Sequence, residues 1–517
     1  MTGPWSIPGA PDGGEARAPT AALLTMVLVI ATAGLVYELV MAAVASYVLG
    51  DSVTQFSIVI GVYLSALGLG AYASRFVERR LALTFVDVEL ATALVGGLSA
   101  PALFFAFGFT GAFRLVLYSI VVTVGALVGL ELPLLIRILE RELSFKELIA
   151  RALTFDYAGA LVGSLAFSLL LVPHLGLVHT SIACGLLNGI VALASTWLLA
   201  GRTGTQRRSM ARARVRAVLV LLVFFFEGGR LRKVSESAMY PGPMLLAEQS
   251  PYQRIVVARR GAGFQLFLNG NLQFSSADEF RYHEALVHPA MAAAREHRRV
   301  LVGGGGDGLA VREILEWPGV QSVTLVDLDR RMTSLARHSP LLTGQNHRSF
   351  SDPRVHIVNA DALVWFGTSR DKLDVVLLDF PDPTNYSLGK LYSRRFYKLA
   401  AARLASDGAM VVQSTSPMFA RDAFWCVTHT LQSVGLSTLP YHVFVPSFGE
   451  WGYVLARHHA GPQPTRLPPA PLRYLDRDTL RALFDFPPDM SERPTRLNRL
   501  DNQALVAYYL GAWARWN

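Results

Sequence analysis

The chain has 517 residues, enough for two or three domains, and it is 52% hydrophobic but only 17% charged. This composition is too apolar for a wholly soluble protein and predicts that part of the chain lies in lipid. The net charge is +9, but neither half of the chain has the dense basic surface of a nucleic-acid binder, which argues against a nucleic-acid partner. The only cysteines, Cys184 and Cys426, are too few for a disulfide framework or a metal knuckle.

Long uncharged runs dominate residues 21–229, after an N-terminal tail of residues 1–20. Six runs reach the roughly 20 residues that cross a bilayer. The predicted spans lie near 21–48, 56–76, 86–109, 113–138, 154–173 and 176–200. A further apolar run at 215–226 is short for a span, and we expect it to be interfacial or half-buried, with a seventh span as the alternative.

The basic residues of this half follow the second, fourth and sixth spans and are scarce after the others. The positive-inside rule therefore predicts a multi-pass protein of the cell (inner) membrane, whose N-terminus and C-terminal domain are cytoplasmic. Three acids, Glu38, Glu131 and Asp156, fall in or beside spans. They are either span-end or arginine-paired residues, or they belong to a path or pocket for a cation.

Strand patterns replace the apolar runs after residue 250. A small β unit is expected at 250–290, with Asn269-Gly270 as a hairpin turn. From 298 to 457, short apolar strands alternate with helical segments, which predicts a Rossmann-like, doubly wound α/β sheet of the AdoMet-dependent transferase type. Residues 458–517 are expected to form a Pro-rich linker and a helical tail.

Acidic residues stand at the carboxyl ends of four predicted strands, where such sheets bind their ligands. The first strand runs into "GGGGDG", and its Asp307 suits a cationic group better than a pyrophosphate. Asp327, 20 residues further on, has the spacing of a ribose-binding acid, and Asp361 can accept a hydrogen bond from an adenine amino group. Together with Asp379 they predict an adenosine ligand without a phosphate tail, an S-adenosyl type of cofactor.

Seven short segments between residues 250 and 457 form a more specific pattern. They are "YQRI", "LNGNLQFSSADEFRYHEALVHP", "GGGGDG", "VDLD", "DPRVHIVNADA", "LLDFPDP" and "LYSRRFY", in this order. The pattern resembles the spermidine synthase-like polyamine aminopropyltransferases, and the apolar half resembles that of their membrane-bound bacterial members. The resemblance implies transfer of an aminopropyl group from decarboxylated S-adenosylmethionine, the co-substrate, to an amine such as putrescine. It implies no prosthetic group, and it favours a homodimer.

The resemblance also implies a role for each matching residue. Asp379 matches the proton acceptor, and Asp307 matches the acid that holds the aminopropyl amine. The expected donor contacts are Gln253, Gly304, Gly306, Asp307, Asp327, Asp361 and Ala362. The expected contacts on the polyamine side are Tyr282, His283, Asp307 and Asp382.

The chemistry of this transfer suits a site rich in aspartates, because the donor and the polyamine are both cations. The attacking amine must be neutral, although an amine with a pKa near 10 is protonated at pH 7. A carboxylate therefore has to position the nitrogen and take its proton. No metal is required, and the sequence shows no cluster with metal-ligand spacing.

Two other functions remain open from the sequence. A methyltransferase shares the sheet and the nucleoside acids, but its loop must accept the methionine carboxylate, which Asp307 disfavours. A polyamine sensor or transporter would use the synthase-like domain only for binding, and the presence of Asp379 and Asp382 argues against it. Phe380-Pro381 and Phe448 stand where soluble members carry hydroxyl residues, and these differences leave the acceptor amine open.

Overall fold

The computed structural model describes residues 20–49, 52–109, 112–140, 145–198, 215–227 and 240–515. The chain divides into two compact units, Met1–Met239 and Tyr240–Asn517. The expected N-terminal tail, 1–20, lies outside the described residues except for Thr20, which begins the first helix.

Apolar helices build the described part of the first unit, which we call the helical unit. They are α1 Thr20–Leu49, α2 Ser52–Ala73, α3 Leu81–Gly97, α4 Ser99–Phe109, α5 Phe113–Leu139, α6 Phe145–Ala166, α7 Val172–Leu198 and α8 at 215–227. A 3-10 turn, Ser74–Phe76, follows α2, and a π-helical turn, Phe167–Leu171, joins α6 to α7.

Five helices of this unit are long and apolar enough to cross a membrane, where six spans are expected. The difference lies in Lys146–Thr196, a helical run of 51 residues that contains both of the last two expected spans. A straight helix of that length would measure roughly 77 Å, more than twice the bilayer core. Gly176 breaks the run with non-helical backbone angles, φ 72° and ψ 171°. Each side of the break is long enough for one span.

The run at 215–226 forms a described helix, α8, of about 20 Å, which is shorter than a bilayer core. Its Leu221 is fully buried, and the side chain packs against Gly97 and Gly185. Phe226, at the other end of the helix, is 79% exposed. The interfacial or half-buried position expected for this segment, and the alternative of a seventh span, both stay predictions.

Close approach at glycines holds the helical unit together. A Cβ atom on Gly70 of α2 would lie only 2.0 Å from the carbonyl oxygen of Ala126 on α5. Small residues at such crossings allow the tight backbone contact that stabilises helix pairs in apolar surroundings. Arg137, near the end of α5, donates a hydrogen bond of 3.0 Å to the carbonyl oxygen of Ser74. The basic ends of α2 and α5 therefore lie on the same side of the unit.

The second unit, which we call the catalytic unit, begins with a four-stranded antiparallel sheet. Its strands are β1 Met244–Gln249, β2 Arg254–Arg260, β3 Gly263–Leu268 and β4 Asn271–Ser275, in the order β1-β2-β3-β4. Asn269 and Gly270 form the expected turn, with φ values of 51° and 81°. β1 precedes the expected unit boundary at 250, because its half-exposed edge pattern gives a weak strand signal.

The main sheet has seven strands in the order β10-β11-β9-β8-β5-β6-β7. The strands are β5 Arg299–Gly304, β6 Ser322–Asp327, β7 Val355–Asn359, β8 Leu373–Asp379, β9 Leu404–Gln413, β10 Ser437–Val445 and β11 Gly449–Arg457. β11 runs antiparallel to both of its neighbours, β9 and β10, and the other strand pairs are parallel. The doubly wound sheet expected from the sequence is therefore confirmed in a mixed form.

Helices surround this sheet. They are α9 Glu279–Ala293, α10 Leu309–Leu315, α11 Arg330–His338, α12 Pro340–Gln345, α13 Ala362–Thr368, α14 Tyr386–Gly389, α15 Arg394–Arg403, α16 Arg421–Gln432, α17 Arg477–Ala482 and α18 Ala504–Trp513. Helix α17 lies within the segment expected to be helical. Helix α18 also lies within residues 458–517, where a helical tail is expected, and it buries Leu505 in the core.

Alternate strand residues fill two cores, one on each face of the main sheet. Val302 and Leu377 belong to one core, while Leu301 and Val376 belong to the other. The strand order reverses between β5 and β8, because β6 and β7 lie on one side of β5 and β8 lies on the other. Ligands of such sheets bind in the crevice at this reversal, outside the carboxyl ends of the strands.

Candidate active site

The glycine loop after β5 brings bare backbone against two acidic strand ends. Gly304 has a φ of 83°, and a Cβ atom there would lie 2.2 Å from the carbonyl oxygen of Asp379. A Cβ atom on Gly306 would lie 2.7 Å from a carboxylate oxygen of Asp327. Only glycine fits both positions, so the sequence of the loop sets how closely a ligand reaches the strand ends.

Asp307 and Asp327 form the acidic floor of this crevice. An oxygen of Asp307 accepts a hydrogen bond of 2.9 Å from the backbone N–H of Leu309, at the start of α10. An oxygen of Asp327 accepts one of 2.8 Å from the N–H of Asp329. Burial raises the pKa of Asp307, and burial together with the neighbouring acids raises the pKa of Asp327 to about 7. A cation or a hydroxyl donor placed beside either carboxylate would stabilise its ionised form.

Asp379 ends β8 and lies beside the phenol of Tyr282, which comes from α9. The Tyr282 hydroxyl donates a hydrogen bond of 2.6 Å to Oδ1 of Asp379. Burial raises the pKa of Asp379 to about 6, although the positive charge of His283 and the Tyr282 hydrogen bond act in the opposite direction. Asp379 is therefore mostly ionised at pH 7, and its raised pKa favours acceptance of a proton.

A buried ion network fixes His283 one helical turn from Glu279. The Nδ1 atom of His283 lies 2.9 Å from Oε2 of Glu279, and Arg312 donates hydrogen bonds of 3.0 and 2.9 Å to the two oxygens of the same carboxylate. Gln345 donates another to Oε1. Burial lowers the pKa of His283, but the hydrogen bond and charge of Glu279 outweigh it and raise that pKa to about 9. His283 is thus cationic at neutral pH and faces Asp307 and Asp379.

Replacing Arg312 by leucine is expected to destabilise the catalytic unit by about 3–5 kcal/mol, because the buried carboxylate of Glu279 loses its arginine partner. Arg312 is 8% exposed and Glu279 is fully buried. Thermal unfolding of the detergent-purified chain should show a fall of Tm by about 10 °C. Arg295→Leu removes a surface ion pair with Asp407 and is the matched control, with no measurable change expected. An equal Tm for both variants would contradict this account.

Asp382 is held by side chains from distant parts of the unit. Gln413 and Thr415 donate hydrogen bonds of 3.0 and 3.2 Å to its two oxygens, and Tyr509 of α18 donates another. Burial raises the pKa of Asp382 to about 6, while these three hydrogen bonds partly offset the rise. Thr415 has a left-handed φ of 59°, a strained conformation for a β-branched residue. In this conformation the Thr415 hydroxyl lies within hydrogen-bond distance of Asp382.

The remaining expected donor contacts lie at the ends of β6 and β7. Gln253 donates a hydrogen bond of 2.8 Å to Asp329, two residues beyond Asp327. Asp361 accepts from the N–H of Leu363 at the start of α13, and its other oxygen lies 2.5 Å from Nζ of Lys390. Ala362 follows and is buried. An adenine amino group at Asp361 would have to share that carboxylate with Lys390.

The structure thus brings most of the expected residues to one crevice, with one difference of detail. Phe380 is buried in the core against Tyr392 and Phe396, so its ring does not line the amine side. Phe448 does lie beside Tyr282, with ring centroids 6.1 Å apart. Among the described residues, no cluster of three or more His, Cys, Asp or Glu side chains could hold a metal ion.

Several supporting side chains are absent from the expectations made from the sequence. Glu279 was detectable, because it lies four residues before His283 on the same helix face. The others act across long sequence separations that no local pattern reveals. They are Arg312, Gln345, Lys390, Gln413, Thr415 and Tyr509.

Comparison with known proteins extends across both units. The Spermine/spermidine synthase domain family matches residues 279–464. Polyamine aminopropyltransferase 2 of Ralstonia nicotianae is 50% identical over 500 residues, which cover 95% of this chain and 98% of the relative. Polyamine aminopropyltransferase of Leptospira interrogans is 47% identical over 498 residues, which cover 96% and 99%. A crystal structure of spermidine synthase in complex with the transition state analogue AdoDATO covers 47% of this chain and 85% of its own, with 28% identity and a TM-score of 0.45.

Proposed function

Because this chain belongs to the polyamine aminopropyltransferase family, we propose that it transfers an aminopropyl group from decarboxylated S-adenosylmethionine to putrescine or a related polyamine. Methylthioadenosine is the other product. The observation that carries the proposal is the position of Asp379, which ends β8 at the strand-order reversal and accepts a hydrogen bond from Tyr282. A buried, ionised carboxylate at this point is suited to take a proton from an amine.

The donor is proposed to bind along the ends of β5, β6 and β7. Asp327 accepts the ribose hydroxyls, and Asp361 accepts the adenine amino group, with Ala362 and Gln253 beside the nucleoside. The backbone of Gly304 and Gly306 lets the sulfonium end approach the strands. Asp307 binds the terminal ammonium of the aminopropyl chain, which its burial near other acids supports.

The acceptor is proposed to bind on the opposite side of Asp379. Asp382 and His283 flank this side, and the rings of Tyr282 and Phe448 offer an apolar wall for the alkyl chain of a polyamine. The nitrogen lone pair attacks the carbon next to the sulfonium, and the breaking C–S bond leaves its electron pair on sulfur. Asp379 takes the proton that the nitrogen loses. Alignment of nitrogen, carbon and sulfur supplies much of the rate.

The pH dependence of kcat/KM should reflect these carboxyl groups. Burial raises the pKa of Asp379 to about 6, of Asp382 to about 6 and of Asp327 to about 7. All three must be ionised to act, so kcat/KM is expected to fall as the pH drops below 7. The logarithmic slope should exceed one below pH 6, because more than one proton binds. A profile that stays flat down to pH 5 would refute the assignment.

We also propose that the helical unit anchors the enzyme in the cell (inner) membrane, with the catalytic unit cytoplasmic. Five helices long and apolar enough to span, and the shared side of Arg137 and Ser74, support this arrangement. Retention of the chain in the membrane pellet after alkaline carbonate extraction would be the expected result. Recovery in the supernatant would refute it. The homodimer expected from the family resemblance stays a prediction.

The transfer itself is tested with the detergent-purified chain, decarboxylated S-adenosylmethionine and a panel of amines. Methylthioadenosine and the polyamine products are quantified by mass spectrometry. Methylthioadenosine release that depends on one amine, with the matching product, supports the proposal and identifies the acceptor. Binding of the nucleoside without release, for every amine tested, would overturn it and favour a sensor or transporter.

A further inference from the structure

Two buried acids of the helical unit have oxygen atoms without a hydrogen-bond partner. Glu89 of α3 is fully buried, and Glu131 of α5 is 1% exposed. Thr92 donates a hydrogen bond of 2.7 Å to one oxygen of Glu131. Among the described residues, no partner exists for the other oxygen of Glu131 or for either oxygen of Glu89. Each buried polar group left in this way costs about 1–3 kcal/mol, more if it is charged.

Glu131 lines a cavity that has both polar and apolar walls. The cavity measures about 30 Å³, and Glu131 and Asp156 line it from α5 and α6. Apolar side chains of α1 and α5 form its other walls, among them Val27, Ile30 and Leu135. A single water needs roughly 10–15 Å³ by this measure, so two or three non-hydrogen atoms fit. Glu131 therefore lines a space that could receive a donor, and one of its two oxygens has no partner among the described residues.

We propose that the helical unit contains a second amine-binding site, in which Glu131 and Asp156 bind the ammonium head group of a polyamine. An ammonium offers three hydrogen-bond donors, and the cavity has room for this group and the carbon atom or two next to it, beside the apolar walls. A metal ion fits less well, because no three potential ligands among the described residues come close enough to hold one. Glu89 interacts electrostatically with Glu131 and is therefore a second buried acid close to the proposed site.

The proposal goes beyond the transferase function and is independent of the residues that carry it. An acid deep in an apolar helical unit is costly and is generally kept for a ligand or an ion. Glu131 pairs with Thr92 rather than with an arginine, so the arginine-paired role considered from the sequence does not describe it. Glu38 on α1 is also buried, at 6% exposure, but does not line the cavity.

The test is equilibrium dialysis of the full detergent-solubilised chain with radiolabelled spermidine. The native chain is expected to bind two equivalents, one in each unit. Glu131→Gln should reduce the stoichiometry to one while amine-dependent transfer continues at the native rate. Glu147→Gln is the matched control, because Glu147 is an exposed acid of the same unit that pairs with Arg151. It should keep both equivalents.

Thermal unfolding of each variant verifies folding, and Asp156→Asn provides a second route if Glu131→Gln does not fold. A spermidine stoichiometry that is the same in Glu131→Gln, in Asp156→Asn and in the native chain would overturn the proposal. An equal loss in Glu147→Gln would overturn it as well, since it would indicate general charge attraction. Asp382→Asn tests the catalytic unit alone. If this variant loses transfer but still binds one equivalent of spermidine, the remaining equivalent belongs to the helical unit. The two proposals can therefore fail separately.

Discussion

Replacing Asp379 by asparagine is expected to lower kcat by about 10²–10⁴-fold, the contribution typical of a positioned general base. The asparagine oxygen still accepts the hydrogen bond that Tyr282 donates to Asp379, so the local geometry should survive. What is lost is the ability to take the proton of the attacking amine. The dissociation constant of the donor should change little, because Asp307, Asp327 and Asp361 remain.

The measurement is single-turnover formation of methylthioadenosine, with donor binding followed separately by calorimetry. Asp374→Asn is the matched control, because Asp374 lies at the other end of β8, where it pairs with Arg299 away from the crevice. That change should alter stability and leave the rate of transfer within a few-fold. If Asp379→Asn keeps more than a tenth of the native kcat, another group accepts the proton.

Replacing Asp307 by asparagine is expected to weaken the preference for the decarboxylated donor by about 10²-fold or more. In the native site Asp307 attracts the terminal ammonium of that donor, and a charge-assisted hydrogen bond is worth about 1.5–3 kcal/mol. The same carboxylate repels the carboxylate of S-adenosylmethionine, and like charges in contact cost several kcal/mol. The variant loses both effects, so the two affinities move in opposite directions.

The dissociation constants of the two donors, measured by competition, give this preference directly. Glu316→Gln is the control, because Glu316 is exposed at the opposite end of α10. Tight binding of S-adenosylmethionine by the native chain, with methyl transfer to an amine, would contradict the assignment of Asp307. That result would favour the methyltransferase alternative.

The sequence was most informative where apolar runs end in an acid, because such a run can be buried only with its polar end at the edge of the core. The apolar runs that end in Asp327 and Asp379 predict buried strands with acids at their carboxyl ends, and in the structure both strands end at these residues. Parallel strands gather these ends at one edge of the sheet, so the acidic crevice follows from the order of the segments. The glycine loop adds the close backbone approach that a bulky residue would prevent.

Contacts between distant segments were beyond the reach of the same reasoning. Tyr509 reaches Asp382 from a helix whose sequence shows only an apolar pattern, and Lys390 pairs with Asp361 from the 3-10 turn Lys390–Tyr392. β9 begins at Leu404, before its apolar core, because sheet pairing with β8 recruits a polar stretch of low strand propensity. Such details depend on the packed sheet and not on any local window.

The two central carboxylates are held from opposite ends of the catalytic unit. Tyr282, before the first strand of the main sheet, contacts Asp379, and Tyr509, after the last strand, contacts Asp382. A local opening at either end therefore removes a partner from a buried acid. The free energy that separates the intact crevice from a broken one should approach that of global unfolding of the unit. Catalytic competence then belongs to the cooperative fold as a whole and cannot be carried by an excised fragment of the sheet.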